Sequence, residues 1–197
     1  AGHPERQRGA GVVPPIGVRG GGRHSALRPR QRRRGVGSHL LYVQTAVTLR
    51  ILLSEVDSSD ALTLMAELSV QLAEITGDSG TSSFDPAAIQ ADGGCFMLVR
   101  NAADEAVACG ALRRLTSGVA ELKRMYVREP GNGIGRKLLH ALEQQARWLG
   151  YRQLWLETRR VNLRAIKFYL AQGYRIRENY GRYRGNPQAV CFEKVLE

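Results

Sequence analysis

Residues 125–139 read MYVREPGNGIGRKLL: a strand-like run, a short glycine-rich turn, and the start of an amphipathic helix. Gly131, Gly133 and Gly135 permit backbone conformations and close approaches that side chains forbid. At a helix start the first N–H groups lack intrahelical partners, so such a turn can form a nest for phosphate oxygens. Arg136 and Lys137 add positive charge at the same place. Two familiar phosphate loops are excluded by spacing. The turn is not G-x-G-x-x-G with an acid about 20 residues on, and no G-x-x-x-x-G-K-[ST] can be laid over it. A tight turn without a ligand is the competing reading of the glycines alone.

Such a turn needs a strand before it and a helix after it, and the flanking pattern supplies both. AELKRMYV reads as a fourth strand. The helix after the turn runs to Trp148 or Leu149, with an apolar stripe of Ile134, Leu138, Leu142, Ala146 and Leu149. Glu143 and Arg147 are spaced for an i,i+4 pair, and Gly150 stops the helix. Upstream, AVTLRILL is a first strand from Ala46. Asp57 or Ser59 caps a helix running to about Thr76, with Leu62, Met65, Leu68 and Leu72 at helical spacing. Asp85-Pro86 opens a short second helix. CFMLVR and AVACGALRRL form antiparallel strands joined by the turn NAADE. Downstream, QLWLET is a buried-type strand, and Asn162 caps the helix LRAIKFYLAQ, which Gly173 ends. GYRIRE and AVCFEKV are the last strands, flanking a loop rich in Tyr, Arg and Gly. The order predicts an α/β domain: a mixed, mostly antiparallel sheet, one right-handed parallel strand–helix–strand crossover, and helices on both faces.

The run ELKRMYV…GNGIGRKLL…LGY…LET…N..AI.FY…GY resembles the central and distal motifs of GNAT acetyltransferases. The likeness is close over residues 119–176 and holds in outline over 46–197. It implies the GNAT fold and an acetyl-CoA-dependent N-acetyltransferase that moves an acetyl group directly to a primary amine of a small molecule or peptide. It maps CoA pyrophosphate onto the backbone amides of Gly131, Asn132, Gly133, Ile134, Gly135 and Arg136. Pantetheine falls on the backbone of Met125, Tyr126 and Val127. A further CoA contact falls on Asn162, whose capping role explains it equally well. Pro130 departs from the family, which usually has Gln or Arg there, and the turn is shorter than is common. Having no N–H, Pro130 removes one phosphate donor.

Acetylating an amine requires its neutral form, and a lysine-like amine with pKa about 10.4 is neutral only about once in 2,500 molecules at pH 7. A general base is therefore useful. The resemblance places one at Glu121; a strand-edge charge or a partner for Arg124 are the alternatives. Tyr169 falls where the family commonly has a general acid for the departing thiolate, and an aromatic packed between helix and sheet is the alternative. Acceptor recognition in the family maps to residues 72–84 and 178–187, with Tyr180 and Tyr183 as walls.

The rest of the chain sets bounds. Its 197 residues are 43% hydrophobic and 24% charged, as in globular proteins, and suit one domain with an appendage. Residues 1–40 carry +8 and are low-complexity, so a disordered basic arm is expected there, with the folded domain over 46–197. Arg30, Arg32, Arg33 and Arg34 could meet nucleic acid or an acidic partner, but no aromatic is interleaved to stack bases, which disfavours nucleic acid. Residues 51–112 carry −9 and residues 113–197 carry +11. The second half should attract an anion and the first a cation, a hint of a cationic amine. Cys95, Cys109 and Cys191 fit neither a disulfide framework nor a metal site and read as small core residues in a reducing compartment. No apolar run approaches the ~20 residues of a membrane span, and the amino end lacks a secretory layout, so a cytoplasmic location is expected. A homodimer is left open. The rival functions are a catalytically silent CoA-binding module and a nucleic-acid-tethered protein acting through the basic arm.

Overall fold

The computed structural model describes residues 48–91 and 93–197, so the arm expected over 1–40 and the proposed strand start at Ala46 lie outside it. Seven strands form one sheet: β1 (Arg50–Ser54), β2 (Cys95–Arg100), β3 (Ala106–Thr116), β4 (Val119–Val127), β5 (Gln153–Arg159), β6 (Arg175–Arg177) and β7 (Ala189–Val195). Their spatial order is β1-β2-β3-β4-β5-β7-β6, and every pair is antiparallel except β4 with β5. That pair is joined by α3 (Ile134–Trp148), the expected parallel crossover. Helices α1 (Ser59–Thr76) and α2 (Pro86–Gln90) cover one face, while α3 and α4 (Leu163–Ala171) cover the other.

The stripe read along α3 is the one that packs. Ile134, Leu138, Leu142 and Ala146 are buried against Val99, Leu112 and Leu154. Gly150 takes φ +87° and reverses the chain into β5. Glu143, however, does not pair with Arg147. It is buried and accepts from Lys194 Nζ on β7 at 2.8 Å, while Arg147 Nε donates to the Glu197 carbonyl at 2.6 Å. Helical spacing allowed the i,i+4 pair, but the packing of α3 turned Glu143 toward the sheet.

α1 needs two corrections. Its N-cap is Ser58, whose Oγ accepts from Ala61 N at 3.4 Å, and neither Asp57 nor Ser59 has that role. The buried face is Ala61, Leu64 and Leu68, whereas Leu62 is 54% exposed. The sequence ALTLMAELSVQL offers apolar residues on more than one side. The helix turns small Ala61 and Leu64 toward Phe96, Leu98 and Ala111. α2 is capped as expected, with Asp85 Oδ1 accepting from Ala87 N at 3.0 Å.

The three thiols are free. Burial pushes Cys95 and Cys109 up to about 12 and raises Cys191, so all three rest as thiols.

The turn of α1 separates two substitutions of the same type. Leu64→Ala should cost about 2–5 kcal/mol, as buried leucine truncations do, and lower Tm by several degrees. Leu62→Ala should stay within about 0.5 kcal/mol. Chemical denaturation of the two variants reads both; equal losses would contradict the helix orientation.

Candidate active site

β4 and β5 hydrogen-bond over three residue pairs only, Val119↔Gln153, Ala120↔Leu154 and Glu121↔Trp155. Beyond Glu121 the two strands part. The backbone groups that β4 would otherwise give to β5 are left facing a gap in the middle of the sheet. A cleft of about 1030 Å³ fills this gap and extends onto both faces.

β4 also carries a bulge. Lys123 pairs with Ala111 and Tyr126 with Cys109, so Arg124 and Met125 together stand opposite Gly110. Arg124 adopts φ +52°, a left-handed conformation uncommon outside glycine. The bulge reverses side-chain alternation. Before it, Leu122 enters the core under α3 while Glu121 and Lys123 point to the other face. After it, Met125 and Val127 pack on the α3 side and Tyr126 turns toward α1. The buried guanidinium of Arg124 supports the bulge by donating to the carbonyls of Ser79 and Gly80 at 3.4 and 3.1 Å, with its Cζ 4.7 Å from the Phe84 ring centre. Tyr126 and Arg128 donate to Glu67 on α1, which ties the end of β4 in place.

One end of the cleft is the glycine turn. Gly131 and Gly133 take φ +113° and +72°, and a Cβ added to either would meet nothing within 4 Å. Gly133 is the N-cap of α3 and provides no side-chain cap, so the first N–H groups of that helix are left for another acceptor. Arg136, Arg164 and Lys167 line the same cleft. All of the residues mapped to CoA lie on its wall: Met125, Tyr126 and Val127, the run from Gly131 to Arg136, and Asn162. Asn162 also caps α4, its Oδ1 accepting from Ala165 N at 3.1 Å. Backbone donors, added cations and open space above two glycines suit a polyphosphate.

Tyr169, the next expected residue, reaches the cleft from α4, with its ring against Phe168, Tyr174 and Phe192. Burial raises its pKa well above the ordinary phenol range, so it keeps its proton.

Glu121 is placed differently. It is 0% exposed and does not line the cleft. Its Oε2 accepts from Arg113 Nε at 2.5 Å, and its Oε1 accepts from the hydroxyls of Tyr180 and Tyr183 at 2.8 and 3.4 Å. Arg113, and not Arg124, is its guanidinium partner, because those two residues are opposed across the β3–β4 register. Tyr183 lines the cleft, whereas Tyr180 stands behind it against Trp155. Residues near 72–84 and 178–187 contribute to the wall through Leu72, Asp78, Ser82, Arg182 and Tyr183.

Lys123, Glu157 and Arg159 also line the cleft, and sequence reasoning missed them. The one available signal was an acid, Glu157, inside QLWLET, an otherwise buried-type strand. Of the described acids of residues 51–112, Asp78 alone reaches the cleft, so the acidic first half does not make this wall negative.

Comparison with known proteins bears on what this cleft does. The model of the Acetyltransferase (GNAT) family matches residues 62–174. An IAA acetyltransferase of Azospirillum brasilense is 37% identical over 102 residues, which is 50% of this chain and 67% of that protein. The crystal structure of a protein assigned as an acyl-CoA N-acyltransferase of Klebsiella pneumoniae superposes with a TM-score of 0.65 at 29% identity, over 77% of this chain and 99% of that one. An acetyltransferase from Streptococcus agalactiae shares the fold at a TM-score of 0.63 and 21% identity, over 75% of this chain and 98% of its own. The match spans both the glycine turn and Tyr169, and the chain belongs to the GNAT family of N-acetyltransferases.

Proposed function

We propose that the protein transfers the acetyl group of acetyl-CoA directly to a primary amine of a small molecule or peptide. The observation that carries this reading is one continuous cleft through the β4–β5 split. It has an anion nest at one end, Tyr169 on its wall, and a polar chamber at the other end. When bound, acetyl-CoA supplies the acetyl group as an activated thioester. The chain's own contribution is placement and proton handling. The amides at the start of α3 and the cations Arg136, Arg164 and Lys167 would hold the phosphates. The unpaired edge of residues 125–127 would hold the amide-bearing arm. Pro130 offers no donor, which trims the nest without closing it.

The Tyr169 hydroxyl, protonated at neutral pH as phenols are, would hold the proton that a departing thiolate takes up. In this reading Glu121, which does not line the cleft, acts by support and not as the base. Its carboxylate instead fixes Arg113, Tyr180 and Tyr183, and through Tyr183 it shapes the acceptor wall.

Thiol release from acetyl-CoA across a primary-amine panel tests the reading; CoA binding with no amine-dependent release would leave a silent binding module. In that assay Tyr169→Phe should lower kcat by roughly 10²-fold, the low end for general acids because thiolate leaves readily. CoA affinity should hardly change. Wild-type kcat in this variant would return Tyr169 to a packing role.

Glu121→Gln should behave as a structural change. Weakening its charged hydrogen bonds should cost about 1.5–3 kcal/mol of stability, seen as a lower denaturation midpoint. The shape of the pH–rate profile should be preserved. Loss of an acidic limb from that profile would instead make Glu121 the base.

A further inference from the structure

The acceptor chamber carries a charge arrangement that acetyl transfer alone does not require. The last paired residues of the split are Glu121 and Trp155, so Lys123 and Glu157 are the next residues on the same face of the two parting strands. Both line the cleft. Lys123 Nζ donates to the Tyr183 hydroxyl at 2.9 Å and lies 3.7 Å from Glu121. Glu157 makes no hydrogen bond or ion pair among the described residues, and burial raises its pKa above the ordinary carboxylate value against the opposing charges of Lys123 and Arg159.

Two cations, Lys123 and Arg159, act on this carboxylate, and a third, Arg182, lies on the same cleft wall. Arg159 is paired with Asp78 at 2.6 Å, which neutralises the one acid from the first half of the chain. Arg182 lies on the cleft wall and donates to the Ser82 carbonyl at 2.7 Å. Lys123 and Arg182 thus have no carboxylate that is theirs alone, while Glu157 has no bonded cation. An amine with no anion would bring its charge beside Lys123 and Arg182 and be repelled. An amine with a neighbouring carboxylate would satisfy both sides.

We infer that the acceptor is an amino-acid-like zwitterion, with its ammonium on Glu157 and its carboxylate toward Lys123 and Arg182. This rests on the acetyl-transfer reading above. Glu157 takes one proton from the ammonium, and its carboxyl later releases it to water. The freed nitrogen lone pair forms the N–C bond to the acetyl carbonyl as the C–S bond breaks. Sulfur takes the Tyr169 proton, and the second proton leaving nitrogen restores the phenol. A peptide amino terminus, which has an amide in place of the carboxylate, would be a poor substrate.

The test uses the full chain and three probe sets: the twenty L-amino acids, their primary amides, and simple alkylamines. Thiol release gives kcat/KM, and calorimetry measures amino-acid binding to the protein–CoA complex. The best amino acid should exceed its own amide by about tenfold or more, as expected for a site built to pair a group that the analogue lacks. It should do so even though the amide's amine gives up its proton more readily. Glu157→Gln should lower kcat/KM by about 10²–10⁴-fold at neutral pH, with part of the loss recovered under alkaline conditions and CoA affinity retained. Arg182→Gln should weaken calorimetric binding of the amino acid and lower its kcat/KM more than that of its amide, narrowing the gap between the two. Amides or alkylamines turning over as well as amino acids would overturn the inference while acetyl transfer stands, as would an unaffected Glu157→Gln. No release with any amine, although CoA binds, would overturn both.

Discussion

Three paired residues between β4 and β5 determine most of what this molecule can do. A parallel pair held along its whole length would satisfy its backbone groups and leave no room between the strands. Here pairing ends at Glu121 and Trp155, and the strands continue without pairing to each other, β4 on β3 and β5 on β7. Unsatisfied backbone at the centre of a sheet is costly unless a partner or water meets it, and the split leaves such groups open to one. The bulge at Arg124 belongs to the same device. It turns Met125 and Val127 to the α3 side while keeping Lys123 on the opposite face, and β4 thereby contributes to both ends of one cleft.

Around the split, rigidity and openness are divided between the two faces. On the α3 side a dense apolar core fixes the helix whose first amides are proposed to receive phosphate. On the other side a polar network does the fixing. Arg113, Glu121, Tyr180 and Tyr183 are joined by hydrogen bonds, and Arg177 stacks with its Cζ 3.3 Å from the Trp155 ring centre. Buried networks of this kind hold one geometry because breaking any member strands another. Catalytic geometry tolerates little displacement, so a wall built this way can position small groups without a mobile lid.

What could be read from the sequence was what local chemistry decides. The glycine turn, the stripe of α3, the Asn162 and Asp85 caps and the β7 segment each depend on a few neighbouring residues, and each stands where the pattern put it. What could not be read depends on partners far along the chain. The face that α1 buries is chosen by β2 and β3, and the partner of Glu143 lies 51 residues away at Lys194. Glu121 shows the same limit at the site. Its place on the fourth strand was legible, but its enclosure by Arg113 and two tyrosines depends on register and on a loop some sixty residues on. The facing of Lys123 and Glu157 needed the parallel register, which no local pattern encodes.

If the split and the glycine turn together form the CoA site, bound CoA must cover both. Amide hydrogen exchange, measured with and without CoA, addresses that directly because the proposed contacts are backbone groups. CoA should slow exchange at residues 125–127 and 131–137, and leave the buried turns of α1 at 61–68 unchanged. Slowing confined to other segments, with the glycine turn unaffected at saturating CoA, would contradict it.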